Sequence, residues 1–107
     1  MAEIYRMERI ISGQEGQVLV FADNALLDPG PSLQVISHSP TGFEWGYGGS
    51  GPSQLALAIL LDFFGEPSKA KQLYQDFKWK FIAHAPMEGF VVRAEEIKKW
   101  LAEGNHA

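Results

Sequence analysis

The chain has 107 residues, a formal charge of −4, no cysteine and three histidines. That length holds one domain with a core of its own and is too short for two. The absence of cysteine excludes disulfides, thiolate zinc sites and cysteine nucleophiles, and three histidines give no reason to expect a metal site.

Charge is uneven along the chain. Residues 1–65 carry two bases against seven acids, and residues 66–107 carry seven bases against six acids. Strong nonspecific nucleic-acid binding needs a dense cationic surface, which this balance does not supply. The N-terminus, Met-Ala-Glu-Ile-Tyr-Arg, has no basic region followed by an apolar stretch, so no secretory signal is read there. The longest apolar run, Leu55 to Leu61, falls far below the ~20 residues of a membrane span. A cytoplasmic protein is the expectation.

The first third reads as β. Ile4 to Ile11 and Gln17 to Phe21 are rich in β-branched and aromatic residues, and residues 12–16 between them have the composition of a hairpin loop. Asp28-Pro29-Gly30-Pro31 is a second turn, and Leu33 to Ser37 a third short strand. Residues 1–37 thus form a β meander, and residues 38–51 an aromatic and glycine-rich loop. Residues 52–103 are mainly helical, and residues 104–107, with His106, form a flexible tail.

Pro52 suits the first turn of a helix that runs to Phe64, where Gly65 and Pro67 stop it. Its apolar side chains project around almost the whole circumference, the pattern of a helix buried on most sides. Ser68 is an N-cap candidate for a helix from Lys69 to about Ala83. Ala70, Leu73, Tyr74, Phe77, Phe81 and His84 share its core face. Trp79 projects from the opposite side near Ile82, flanked by Lys71, Gln75 and Lys78. A strand at Phe90 to Val92 leads into a last helix, Ala94 to Glu103, with Ala94, Ile97, Trp100 and Leu101 inward. The expected fold is α+β, with a small antiparallel sheet of about three strands packed against a buried central helix and two more helices.

Residues 43–61 carry the densest signal. Phe43, Trp45 and Tyr47 alternate, so in an extended segment they point one way, either into the core or as a platform on which a base could stack. Gly48, Gly49, Ser50, Gly51 and Ser53 then lead into the helix, an arrangement that can turn free amides toward an anion. The competing reading is a purely structural turn in which Gly49 adopts a positive φ that a β-branched residue cannot reach. No lysine follows in P-loop spacing, and the glycines do not match a dinucleotide fingerprint, so no cofactor is expected. Glu44 lacks a second carboxylate for acid–base work. Ser50 or Ser53 with His38 or His84 is the weakest alternative, a serine hydrolase, because the nucleophile-elbow pattern is missing. His38 is expected to order its turn, and His84 to be buried or to cap its helix.

From His38-Ser39-Pro40-Thr41-Gly42-Phe43-Glu44-Trp45-Gly46-Tyr47-Gly48-Gly49-Ser50-Gly51-Pro52 through the helix, the chain resembles an uncharacterised family of small, mostly bacterial and phage-borne proteins of unknown function. Phe77-Lys78-Trp79 and Ile97-x-x-Trp100-Leu101 extend the resemblance to roughly residues 33–101. Two positions depart from that pattern. Phe90 replaces a usual tryptophan, and Arg93 replaces a capping Ser or Thr, which implies a less sharply defined last helix. The resulting expectation is a small non-enzymatic binding or regulatory protein, accessory to a mobile element, that docks on a protein partner through Trp79 with Lys71 and Lys78. The alternative is a domain that binds a small ligand or nucleotide phosphate.

Overall fold

The structure, a computed structural model of the chain, describes residues 2–12, 15–40 and 42–104. Strands β1 (Ile4–Ser12) and β2 (Glu15–Ala22) form an antiparallel hairpin in which Tyr5 faces Ala22 and Ser12 faces Glu15. The strands therefore reach further into the expected loop than composition suggested, and the two residues between them lie outside the described part. So do Thr41 and residues 105–107, which include His106 and most of the expected tail.

A third strand exists, but not at Leu33–Ser37. After a turn in which Asp23 takes a left-handed φ of 55° and its carboxylate accepts the Glu3 and Ile4 amides at 3.0 and 3.2 Å, β3 is only Ala25–Leu26. Residues 30–35 instead form helix α1 (Gly30–Val35). Local chemistry decides for the helix. The Asp28 carboxylate accepts the Gly30 amide at 2.9 Å, Pro31 fits a first helical turn, and the Ser32 hydroxyl bonds to Pro29 O at 2.8 Å. A six-residue helix has too few turns to show its period, so its apolar residues mimic a strand.

Strand β4 (Gly89–Arg93) closes a four-stranded antiparallel sheet of order β3-β2-β1-β4, with Tyr5 opposite Val92. One face of this sheet, through Tyr5, Met7, Val20 and Val92, packs against helix α2 (Ser50–Phe64). Every residue of α2 from Gly51 to Leu60 is buried, as a helix apolar around its circumference requires. The Tyr5 hydroxyl donates to Asp62 Oδ2 at 2.6 Å, and burial together with that carboxylate raises its pKa, keeping the donor protonated. Gly65 ends the helix in a left-handed conformation, φ 72°, and its amide returns to Leu61 O at 2.9 Å.

Helix α3 (Pro67–Phe77) is capped by Glu66 rather than Ser68, because the Glu66 carboxylate accepts the Ser68 and Lys69 amides at 2.7 and 3.2 Å. It continues not as α-helix but as a π-helical segment, Lys78–Ile82, closed by Ala83 N to Lys78 O at 2.8 Å. One wider turn shifts the phase of everything after it. Ile82, expected outside, is buried, whereas His84, expected inside or as a cap, is exposed. Lys78, placed on the outer side with Trp79, is buried as well.

Helix α4 (Ala94–Ala102) buries Ala94, Ile97 and Trp100 as its spacing predicts. Trp100 meets Phe77 edge-on at 5.6 Å. The Arg93 departure does not loosen the helix start, since the Glu96 side chain accepts the Arg93 amide at 3.0 Å. Phe90 packs edge-on against Trp45, with ring centroids 5.6 Å apart.

Leu57 and Leu60 are both fully enclosed. Replacing either by Ala is expected to cost ~2–5 kcal/mol in denaturant unfolding, because a helix walled in on every side cannot collapse around the void. A loss below ~1 kcal/mol would contradict that enclosure.

Candidate functional site

The segment from Gly42 to Gly49 is irregular and lies between α1 and α2. Its anchor is a residue of β1. Arg9 follows Tyr5 and Met7 at two-residue spacing, so its side chain falls on the core face of the sheet, where a cation requires partners. It finds them in Glu44: Nη1 donates to Oε2 at 3.0 Å, and Nη2 to Oε1. Arg9 Nε donates to Met87 O at 2.7 Å, and the guanidinium lies 4.8 Å from the centre of the Trp45 ring. Trp45 is fully buried, and its indole N–H also donates to Met87 O, at 3.1 Å. Hydrogen bonding to Arg9 lowers the Glu44 pKa, helped by the Trp45 amide, which donates to Oε1 at 3.1 Å. Glu44 is thereby committed to holding the loop and is not a free acid or base.

The three alternating aromatics do not form a common platform. Trp45 is in the core, Phe43 packs against the core from its edge, and Tyr47 is 48% exposed. The segment is not a strand, so the two-residue alternation that would align them does not operate.

The glycines serve two different needs. Gly46 has φ +88°, and its amide bonds to Ile82 O at 3.0 Å, so here the backbone itself demands glycine. Gly49 has φ −91°, contrary to the expected positive angle, so its backbone alone would admit other residues. Gly48, Gly49 and Gly51 are constrained by space: a β-carbon would run into the Trp79 ring, the Tyr47 ring and Glu44 Cβ, respectively. Gly46 is doubly constrained, as a β-carbon there would strike the Met87 sulfur.

These close approaches bring Trp79, expected as a docking residue, together with Tyr47 and with Met87, which the sequence did not single out. Trp79 lies over Gly48, Tyr47 over Gly49 and Met87 over Gly46, and the three are 52%, 48% and 50% exposed. His84 flanks Trp79 at 6.2 Å between ring centroids. Beneath, the Lys78 ammonium sits 4.6 Å from the Trp79 ring centre and donates to Gly48 O at 3.2 Å. The residue is only 5% exposed, and its burial lowers its pKa. Lys71 is exposed on α3, with no contact joining it to this cluster among the described residues.

Of the expected anion ligands, Ser50 is exposed at the start of α2, while Ser53 is buried with its amide bonded to Gly49 O at 3.1 Å. Pro52 supplies no N–H, so the donors left at this end are fewer than at an ordinary helix start. Neither described histidine is brought to either serine: His38 Nε2 bonds to the Tyr74 hydroxyl at 2.8 Å, and His84 lies beside Trp79. A scan against protein-family models matches residues 5–103 to a family of unknown function, DUF6166. The chain belongs to that family. The DUF6166 match spans both the sheet and the glycine loop, so the Arg9–Glu44 tie and the exposed cluster both fall within it. Neither the curated proteins nor the solved structures searched gave a match.

Arg9 was detectable from strand parity, as a charge at a position whose neighbours two residues away face the core. Lys78 was expected beside Trp79 but on the outer side, not buried beneath the ring, and Met87 was not singled out, because it enters through a turn.

Two expectations follow. A carboxylate whose folded pKa is lowered adds stability that is complete above its unfolded pKa and is lost as pH falls through the folded value. Glu44→Gln should therefore weaken the fold at neutral pH and flatten the acid side of a stability–pH curve from urea unfolding. A Glu44→Gln curve parallel to the parent's would refute the linkage. Gly46→Ala should cost about 1–2 kcal/mol from the left-handed angle alone, whereas Gly49→Ala should be milder, because the exposed Tyr47 ring can swing aside. The same urea titration ranks the two.

Proposed function

We propose that this protein is a small non-enzymatic binding or regulatory protein whose docking face is the Tyr47, Trp79 and Met87 cluster around the glycine loop. One observation carries the reading: Trp79 is half exposed, yet its ring is fixed against Gly48 and over the Lys78 ammonium. An aromatic ring held against the backbone, as that of Trp79 is, loses little entropy on contact, and aromatic and methionine side chains are the residue types enriched at protein interfaces. The net charge of −4 favours a protein over a nucleic-acid partner. In line with the resemblance in residues 33–101, the setting we infer is the cytoplasm of a bacterial cell, with the protein acting as an accessory of a mobile element.

The second reading, a phosphate or other small anion at the Gly48–Ser53 loop, is favoured by one feature, the Lys78 ammonium 3.2 Å from Gly48 O. It is disfavoured by the shortage of free amides described above.

The three tryptophans make the first reading testable, because Trp45 and Trp100 are buried and only Trp79 is open. Iodide should quench one emitting component of the parent protein, and Trp79→Ala should remove it. Affinity capture from a host lysate should recover a partner with the parent but not with Trp79→Ala or Gly48→Ala, both judged against parent-like thermal unfolding. Capture that survives both substitutions would overturn the assignment of the docking face. Stabilisation by phosphate or nucleotides in thermal-shift screening, which reports binding to the native state, would favour the anion reading instead.

A further inference from the structure

Away from the aromatic cluster, part of one sheet edge has no partner strand among the described residues. Hydrogen-bonded pairs in an antiparallel ladder recur every second residue, and Asp23 N to Ile4 O at 2.8 Å fixes which β2 residues face β1. Residues 23, 21, 19 and 17 turn their backbone groups toward β1, and Ala22, Val20, Val18 and Gly16 turn theirs outward. Strand β3 covers the far end of that edge, with Leu27 N donating to Val20 O at 2.8 Å. It then leaves the sheet at Asp28. Among the described residues, no partner bonds to the outward N–H and C=O groups of Val18 and Gly16. Beside them runs a groove of about 640 Å³, walled on the core side by Val18, Val20, Leu27 and Phe43 and bordered by Asp28. Asp28 uses Oδ1 to accept the Gly30 amide, and no partner among the described residues bonds to Oδ2.

We infer that this groove is a strand-addition site that takes an extended peptide segment of a partner, antiparallel to β2, with apolar side chains at alternate positions and a cation at its N-terminal end. The backbone edge dictates the extended conformation, since only a strand presents donors and acceptors at the spacing of Val18 and Gly16. Orientation follows from β3. A ligand continuing its line past Leu27 runs antiparallel to β2 and begins beside the Asp28 carboxylate, which attracts a lysine or a free amine. Alternate ligand side chains then fall on the core side against Val18 and Phe43, where apolar groups are favoured. Leu27, Asp28 and Pro29 and, from the loop, Gly42 and Phe43 line this groove together with the β2 residues.

The probe is the peptide acetyl-Lys-Val-Thr-Val-Thr-Val-amide, added to the ¹⁵N-labelled full chain, with amide hydrogen exchange as the readout. Binding should slow exchange at Val18 and Gly16 by about tenfold or more, because those amides gain partners. A peptide N-methylated at the residues whose amides face β2 should give no slowing. Replacing its lysine by glutamine should weaken binding, and Asp28→Asn should erase that difference. Val18→Pro, tolerable on an open edge because the lost N–H has no partner among the described residues, should abolish binding while keeping the parent's far-UV spectrum. Unchanged exchange at Val18 and Gly16, equal binding of the N-methylated peptide, or a peptide-free dimer in sedimentation that protects the same amides would each overturn the proposal. Trp79→Ala should leave peptide binding untouched, so the two surfaces stand or fall separately.

Discussion

A helix enclosed on every side has no solvent to satisfy whatever polar groups it carries, and most of this architecture follows from enclosing α2. Gln54 sits in its second turn, fully buried. Its carbonyl oxygen accepts the His38 and Ser39 amides at 2.7 and 3.1 Å, and its amide nitrogen donates to Ser32 Oγ and Ile36 O at 2.9 and 3.1 Å. One side chain thus meets the demands of a connecting segment that has no ladder of its own. That segment can then cover the helix without leaving orphaned amides in the core. Arg9 and Glu44 play the matching part at the start of the helix. They place a compensated ion pair and a tryptophan where the chain turns into α2.

The aromatic cluster is a by-product of the same covering. Once Trp45 is driven inward and Gly46 anchored to Ile82, the next residues must pass close beneath Trp79, and only glycine leaves room. Side chains that would otherwise be buried by this loop are left on its outer surface, mounted on a backbone held at both ends. Rigidity and exposure arise from one cause, which gives the cluster the character of a pre-organised contact rather than of loose apolar surface.

What was legible in the sequence was what repeats. The apolar circumference of α2, the two-residue alternation of β1, the inward spacing of α4 and the Gly65 stop all express a period or a terminus that local chemistry enforces. What was illegible depended on counts too short or phases too irregular to leave a period. The six residues of α1 are chemically as suited to a strand as to a helix, and only Asp28, the prolines and Ser32 decide between them. A single π turn moved Ile82 inward and His84 outward, with no residue in that stretch marking the change. The glycine loop stands out in the sequence, but at Gly49 steric proximity to Tyr47, not the positive φ that a structural turn would require, sets the residue's identity. Tertiary proximity of that kind is invisible to any reading confined to neighbours along the chain.

The π turn has a further consequence for how this chain tolerates change in length. It stores one residue more than an α-helix of the same rise would hold, inside an element fixed before it by Phe77 and after it by the Gly46–Ile82 hydrogen bond. Losing one residue there would relax the turn to ordinary helix and rotate its outward rim by about 100°. The Ile82 carbonyl that holds Gly46 would turn away, and the glycines would leave their place under the tryptophan while the sheet and the central helix stayed intact. In descendants of this chain, a gap at this point would therefore separate lineages that keep the exposed surface from lineages that keep only the fold.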